Sequence, residues 1–139
     1  MTPSLLTRFA CALALPALVS LAPIRLSAQG SDVDQSFDRI EQLQQLGAAR
    51  QRAVNLARNT IVERNGGLGR YTPAACMFAG GRRLEPCLIQ KSERGFQFRF
   101  MGGPPGWEQR GLPATILSEI WISPDGRRVL EVVYNGPLR

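Results

Sequence analysis

The stretch ATILSEIWISPDGRRVLEVVYNG, Ala114 to Gly136, constrains the fold more than any other part of the chain. Two runs rich in Ile, Val and Leu flank Ser123-Pro124-Asp125-Gly126, which reads as a type I turn with glycine placed for a bulge. In the register where Ser123 faces Arg127, Ile116, Ile120, Ile122, Leu130, Val132 and Tyr134 share one face, the expected core face. The opposite face then carries Leu117, Glu119, Trp121, Val129, Glu131 and Val133. Upstream, GFQFRFM alternates in the same way, with Phe96, Phe98 and Phe100 on one side and Gln97 and Arg99 on the other. The second half of the chain is therefore antiparallel sheet, and its apolar face needs a second layer.

A helix supplies that layer. Val33, Phe37, Ile40, Leu43 and Leu46 fall three and four apart, and Ala53, Val54, Leu56, Ala57, Ile61 and Val62 resume the pattern after Gly47. Ser31 and Asp34 form a capping pair at the start. Asn65-Gly66-Gly67 supplies residues tolerant of the left-handed conformation that ends a helix. One rod from Ser31 to Asn65 would be roughly 50 Å long, so a bend or break is expected near Gly47. The expected organisation is a signal peptide over 1–28, a leader and projecting helical segment over 29–47, and one domain over 48–139. The fold class is α+β, a helix packed on an antiparallel meander of four to five strands. Leu117, Trp121, Val129 and Val133 would leave an apolar patch on the outer face. Either the Val33–Leu46 segment folds back over it, or it is an interface.

The first 28 residues carry Arg8, an apolar run from Phe9 to Leu21 and Leu26-Ser27-Ala28 as a cleavage site, the marks of a secretory signal. The apolar run is interrupted by Pro16 and Pro23 and is shorter than the roughly 20 residues of a spanning helix. No membrane association is expected after cleavage. Export makes Cys76 and Cys87 a disulfide, and closing that short loop stabilises the fold by about 2.8 kcal/mol in the chain-entropy model. AACMFAGGRRLEPCLIQ reads as a hairpin turning on Gly81-Arg82, which would set the two cysteines opposite each other; Pro86 then marks an edge strand. The whole chain has 17 basic against 11 acidic residues. Without Arg8 and Arg25 the balance is 15 to 11, or +4, almost all of it arginine. Those charges are scattered, so nucleic acid is not an expected partner.

The string NGGLGRYTPAACMF, with the later SPDGR and YNG, resembles small secreted proteins of cyanobacterial type, in which a helix ending in NGGL precedes a tyrosine and a short strand. The resemblance covers roughly Asn55 to Gly136 and implies export and this fold. It places the chain in the periplasm or outside the cell, or in the thylakoid lumen if the source is a cyanobacterium. None of its motifs is catalytic. The shape also resembles the cystatin-like wrap of a sheet around a helix, without a cystatin inhibitory motif.

The chain contains no histidine. That removes Ser-His-Asp and Cys-His chemistry and histidine metal sites; no phosphate loop or dinucleotide fingerprint is present, and no cofactor or metal is expected. Glu119 and Glu131 stand opposite each other in the register above, and like charges so placed raise one pKa, which is how acid/base pairs are built. Arg99 between them would instead make a charge ladder. The loop Gly102 to Ala114 is long for this fold, and Pro104-Pro105 stiffens it. Trp107 in that loop is expected to plug the open end of the sheet; the rival reading presents it as a contact beside Glu108 and Arg110. The candidate binding set is Trp107, Arg110, Trp121 and Arg99. The leading function is a non-catalytic exported binding or accessory domain that acts through the rigid loop at Trp107 and the outer face of the last hairpin, with a protein, a saccharide or a second copy as partner. Its rivals are a small hydrolase using Glu119 and Glu131, and an anion-binding module for acidic polysaccharide or phosphate.

Overall fold

The computed structural model describes residues 29–139, and the expected signal peptide lies outside them. Helix α1 (Gln29–Arg64) is continuous over 36 residues, with no break at Gly47. A glycine in a helix costs only about 1 kcal/mol against alanine, and the good helix formers around it carry the rod through. Ser31 and Asp34 fall inside the helix, so they do not cap it. The helix stops where expected: Gly67 N donates to Val62 O at 2.8 Å and Gly66 N to Glu63 O at 3.1 Å. These are the paired bonds of a Schellman ending.

Strands β1 (Thr72–Pro73), β2 (Leu88–Ser92), β3 (Gly95–Gly103), β4 (Ile116–Ile122) and β5 (Val129–Pro137) form one antiparallel sheet in the order β1-β3-β4-β5, with β2 also paired to β3. From Ala49 onward the helix lies on this sheet. Ala49, Ala53, Val54, Ala57 and Ile61 bury against Phe96, Phe98, Phe100, Ile120 and Ile122. Three alanines four residues apart form the contact stripe, so the helix axis can approach the sheet closely. Gly126, at the tip of the β4–β5 turn with φ +74°, exploits that approach: a Cβ there would run into Ala49 O and Ala53 N. The turn matches expectation, with Gly126 N bonded to Ser123 O at 2.9 Å.

The expected hairpin at Gly81-Arg82 is not formed. Ala75–Phe78 and Gly81–Leu84 are 3-10 turns. Met77 and Leu84 turn fully into the core, and Arg50 Nη2 donates to Gly81 O at 2.7 Å, which pins the second turn to the helix. Burying those side chains outweighs cross-strand pairing, so Pro86 sits in a turn rather than on an edge strand. The hairpin that does form closes at Ser92 and Gly95, with Glu93-Arg94 at its tip. The Cys76–Cys87 disulfide is present and ties the first 3-10 turn to the entry of β2.

Register shifts in β5, at Leu130 and Val133, change the expected facing of the last hairpin. Val129 pairs with Ile122, and Tyr134 pairs with Glu119, so those two side chains trade faces. Leu130, expected in the core, is exposed. Toward the far end the core face turns polar. Ser118, fully buried, donates to Asn135 Oδ1 at 2.9 Å, and Asn65 Nδ2 donates to the same oxygen at 3.1 Å. The helix end is thereby locked to β4 and β5.

Candidate functional site

On the outer face of the sheet, Glu119 and Glu131 do not face each other. The shifts in β5 set Glu131 opposite Trp121 and leave Glu119 opposite Tyr134. Glu131 pairs with Arg94 at 2.6 Å, the only ion pair among the described residues. Glu119 accepts from Gln97 Nε2 and lies beside Arg99 in the β3–β4 register. Each carboxylate therefore has its own partner, and the expected face-to-face pair is not formed. The Arg94 guanidinium lies 4.6 Å from the Trp121 ring centroid while holding Glu131. An arginine from the β2–β3 tip thus covers Trp121, which is 6% exposed. The helix does not fold back over this face.

Trp107 is the plug. It is 9% exposed, and its Nε1 donates to the Thr72 carbonyl oxygen at 2.9 Å. The loop around it is stitched to itself and to its neighbours: Leu112 N donates to Trp107 O at 2.9 Å, and Ala75 N donates to the Glu108 carboxylate at 3.0 Å. Arg110 is exposed and folds along its own loop, with Nη2 on Pro105 O at 2.7 Å and Nε on Gly106 O at 3.3 Å. Trp107 is thus held by β1, and Arg110 by carbonyls of its own loop.

Arg99 lines a groove of about 360 Å3 beside the disulfide, together with Cys76, Cys87, Ile89, Met101 and Leu117. Neither Glu119 nor Glu131 is part of it. Among the described residues no cluster of Cys, Asp or Glu could hold a metal ion, and no helix is long and apolar enough to cross a membrane.

A row of exposed apolar side chains lies on α1. Every side chain from residue 32 to residue 48 is exposed, and the apolar ones include Phe37 at 66%, Leu43 at 60% and Ile40 at 51%. Val33, Phe37 and Ile40 lie within roughly 60° of one another around the helix, and Leu43 and Leu46 wind from there toward the core face. This exposed half of the helix, the arm, is roughly 25 Å long at 1.5 Å per residue. Its spacing is legible in the sequence, but its lack of any cover is not.

Two grooves flank Leu46 at the arm's root. One, of about 210 Å3, is lined by Leu43, Leu46, Gly47, Arg50, Leu88, Lys91 and Phe96. The other, of about 460 Å3, is lined by Gln42, Gln45, Leu46, Ala49, Arg52, Pro124 and Asp125. The arm itself is acidic: Asp32, Asp34, Asp38 and Glu41 stand against Arg39 alone, a net −3 over residues 29–48. From Ala49 on, 14 basic residues stand against 7 acidic ones, a net +7. No protein-family model, curated protein or solved structure matches the chain, so the site is read from its own geometry.

Proposed function

We propose that this protein is a non-catalytic, exported binding or accessory module whose contact surface is the projecting half of α1. One observation carries the reading: Phe37, Ile40 and Leu43 stand in solvent on a helix that the fold neither covers nor needs for its core. An apolar stripe of this kind marks an interaction site in a folded protein. The rest of the surface offers less. Trp107 is buried and bonded to β1, Arg110 donates to carbonyls of its own loop, and Trp121 lies beneath Arg94. The disulfide supports export, since such bridges persist in oxidising compartments.

The experiment is site-specific photo-crosslinking in the expressing cell, with the reactive group at Phe37, at Arg110 or at Arg99. The reading predicts adducts from position 37 and none from the other two. Adducts confined to positions 110 or 99 would move the contact surface to the loop or the outer face and overturn it.

A further inference from the structure

We infer that the partner of the arm is a second copy of this chain. The two arms lie antiparallel, and the acidic tip of each rests against the basic, apolar root of the other. The inference depends on the arm being the contact surface and goes on to name what occupies it.

The arm and the root are complementary in charge. The tip carries Asp32, Asp34 and Asp38, interleaved with Val33 and Phe37. The root grooves carry three cations, Arg50, Arg52 and Lys91, against one carboxylate, Asp125, with Leu43, Leu46, Leu88 and Phe96 as their apolar surface. Among the described residues none of these acids or bases is in an ion pair, since Arg94–Glu131 is the only one; Arg50 and Arg52 donate to the Gly81 and Asp125 backbone oxygens, which leaves their charges without a carboxylate partner. The groove therefore suits an acidic amphipathic helix, and the chain carries one.

Spacing makes the match reciprocal. Asp32 and Arg50 are about five helical turns apart, and so are Asp34 and Arg52, so each acid shares a helix face with its base. A two-fold axis near the middle of the arm then brings both ends together at once, as an isologous contact requires. A parallel pair would instead bring Asp32, Asp34, Asp38 and Glu41 of both copies together, which is repulsive. Gly47 is consistent with a close neighbour. A Cβ there would meet nothing within 4 Å in its own chain, so the monomer fold does not require a glycine at this position, yet it lines the root groove.

The test is the mass of the purified chain by sedimentation, from about 1 to 100 μM, a range that brackets a micromolar dissociation constant. Twice the chain mass is expected at the upper end, with dissociation promoted by salt because the tip–root contact is charged. Phe37→Asp, or Asp32→Lys with Asp34→Lys, should weaken the pair by about tenfold or more while leaving the melting temperature of the dilute chain unchanged. Single cysteines give the direction: Ile40→Cys near the axis forms an interchain disulfide, and Val33→Cys, far from its own copy, does not.

Monomer at every concentration, a dimer indifferent to Phe37→Asp, or crosslinking at both cysteines would overturn the inference. The in-cell adduct at position 37 separates the two failures. An adduct with a different protein keeps the arm as the contact surface and removes the second copy as its occupant. Loss of the arm adduct altogether removes both.

Discussion

Trp107 shows how a single side chain can look like a ligand site and be part of the frame. Its position in a Gly- and Pro-rich loop is readable from sequence, and so is the advantage of burying an indole in a small domain. The partner of its N–H is not readable, because Thr72 lies far away in the chain. Trp107→Ala should cost about 3–5 kcal/mol, measured by denaturant titration, since both the cavity and the freed Thr72 carbonyl count against it. Tyr71 makes the opposite case. It is 2% exposed, and its hydroxyl has no hydrogen-bond partner. Burial pushes its pKa up, offset in part by Ser118, whose own proton goes to Asn135. Tyr71→Phe removes an unsatisfied group without opening a cavity, so the melting temperature should hold or rise. A fall would mean that the hydroxyl is bonded after all. At the β4–β5 turn, Ser123 Oγ and Arg127 N both donate to Asp125 Oδ1, with the serine bond the larger cause, and hold its carboxyl below the usual range. A depressed carboxylate stabilises above its unfolded pKa, and that contribution fades as pH falls through the folded value. NMR titration of Asp125 should therefore give a midpoint below that of an unstructured aspartate.

At the scale of elements, the sheet and the helix were legible because burial imposes their periods. Phe96, Phe98 and Phe100 alternate, and all three are buried. The facing of β5 was not legible, because the shifts at Leu130 and Val133 leave no mark in composition. Those shifts decided whether Glu119 and Glu131 could pair, so the hydrolase candidate depended on the least readable feature of the chain. The segment from Ala75 to Cys87 misled for a related reason. Gly81-Arg82 suggests a hairpin turn, but the burial of Met77 and Leu84 demands tighter local turns. Helix α1 divides into a packed half and a free half, and mutations should divide with it. Phe98→Ala or Ile120→Ala should destabilise by about 3 kcal/mol or more, whereas Leu43→Ala should cost the dilute chain little. Equal losses by calorimetry at both kinds of site would mean that the arm is part of the core.

For the whole molecule, the division of charge matters more than its total. An arm at −3 joined to a body at +7 is the charge pattern on which the proposed antiparallel pairing rests. The body is small enough to need its bridge. Reducing Cys76–Cys87 should remove about 2.8 kcal/mol, a fall in melting temperature on the order of 4–8 °C per kcal/mol for a domain of this size. Whether the arm is built for pairing is tested most directly by amide hydrogen exchange along α1 at low and high protein concentration. Residues 49–64 should be protected at both, because the sheet covers them. Residues 32–46 should exchange freely when dilute, as an unsupported helix of this length does, and become protected at the concentration where the mass doubles. Strong protection of 32–46 in the dilute chain, or none at any concentration, would contradict the account.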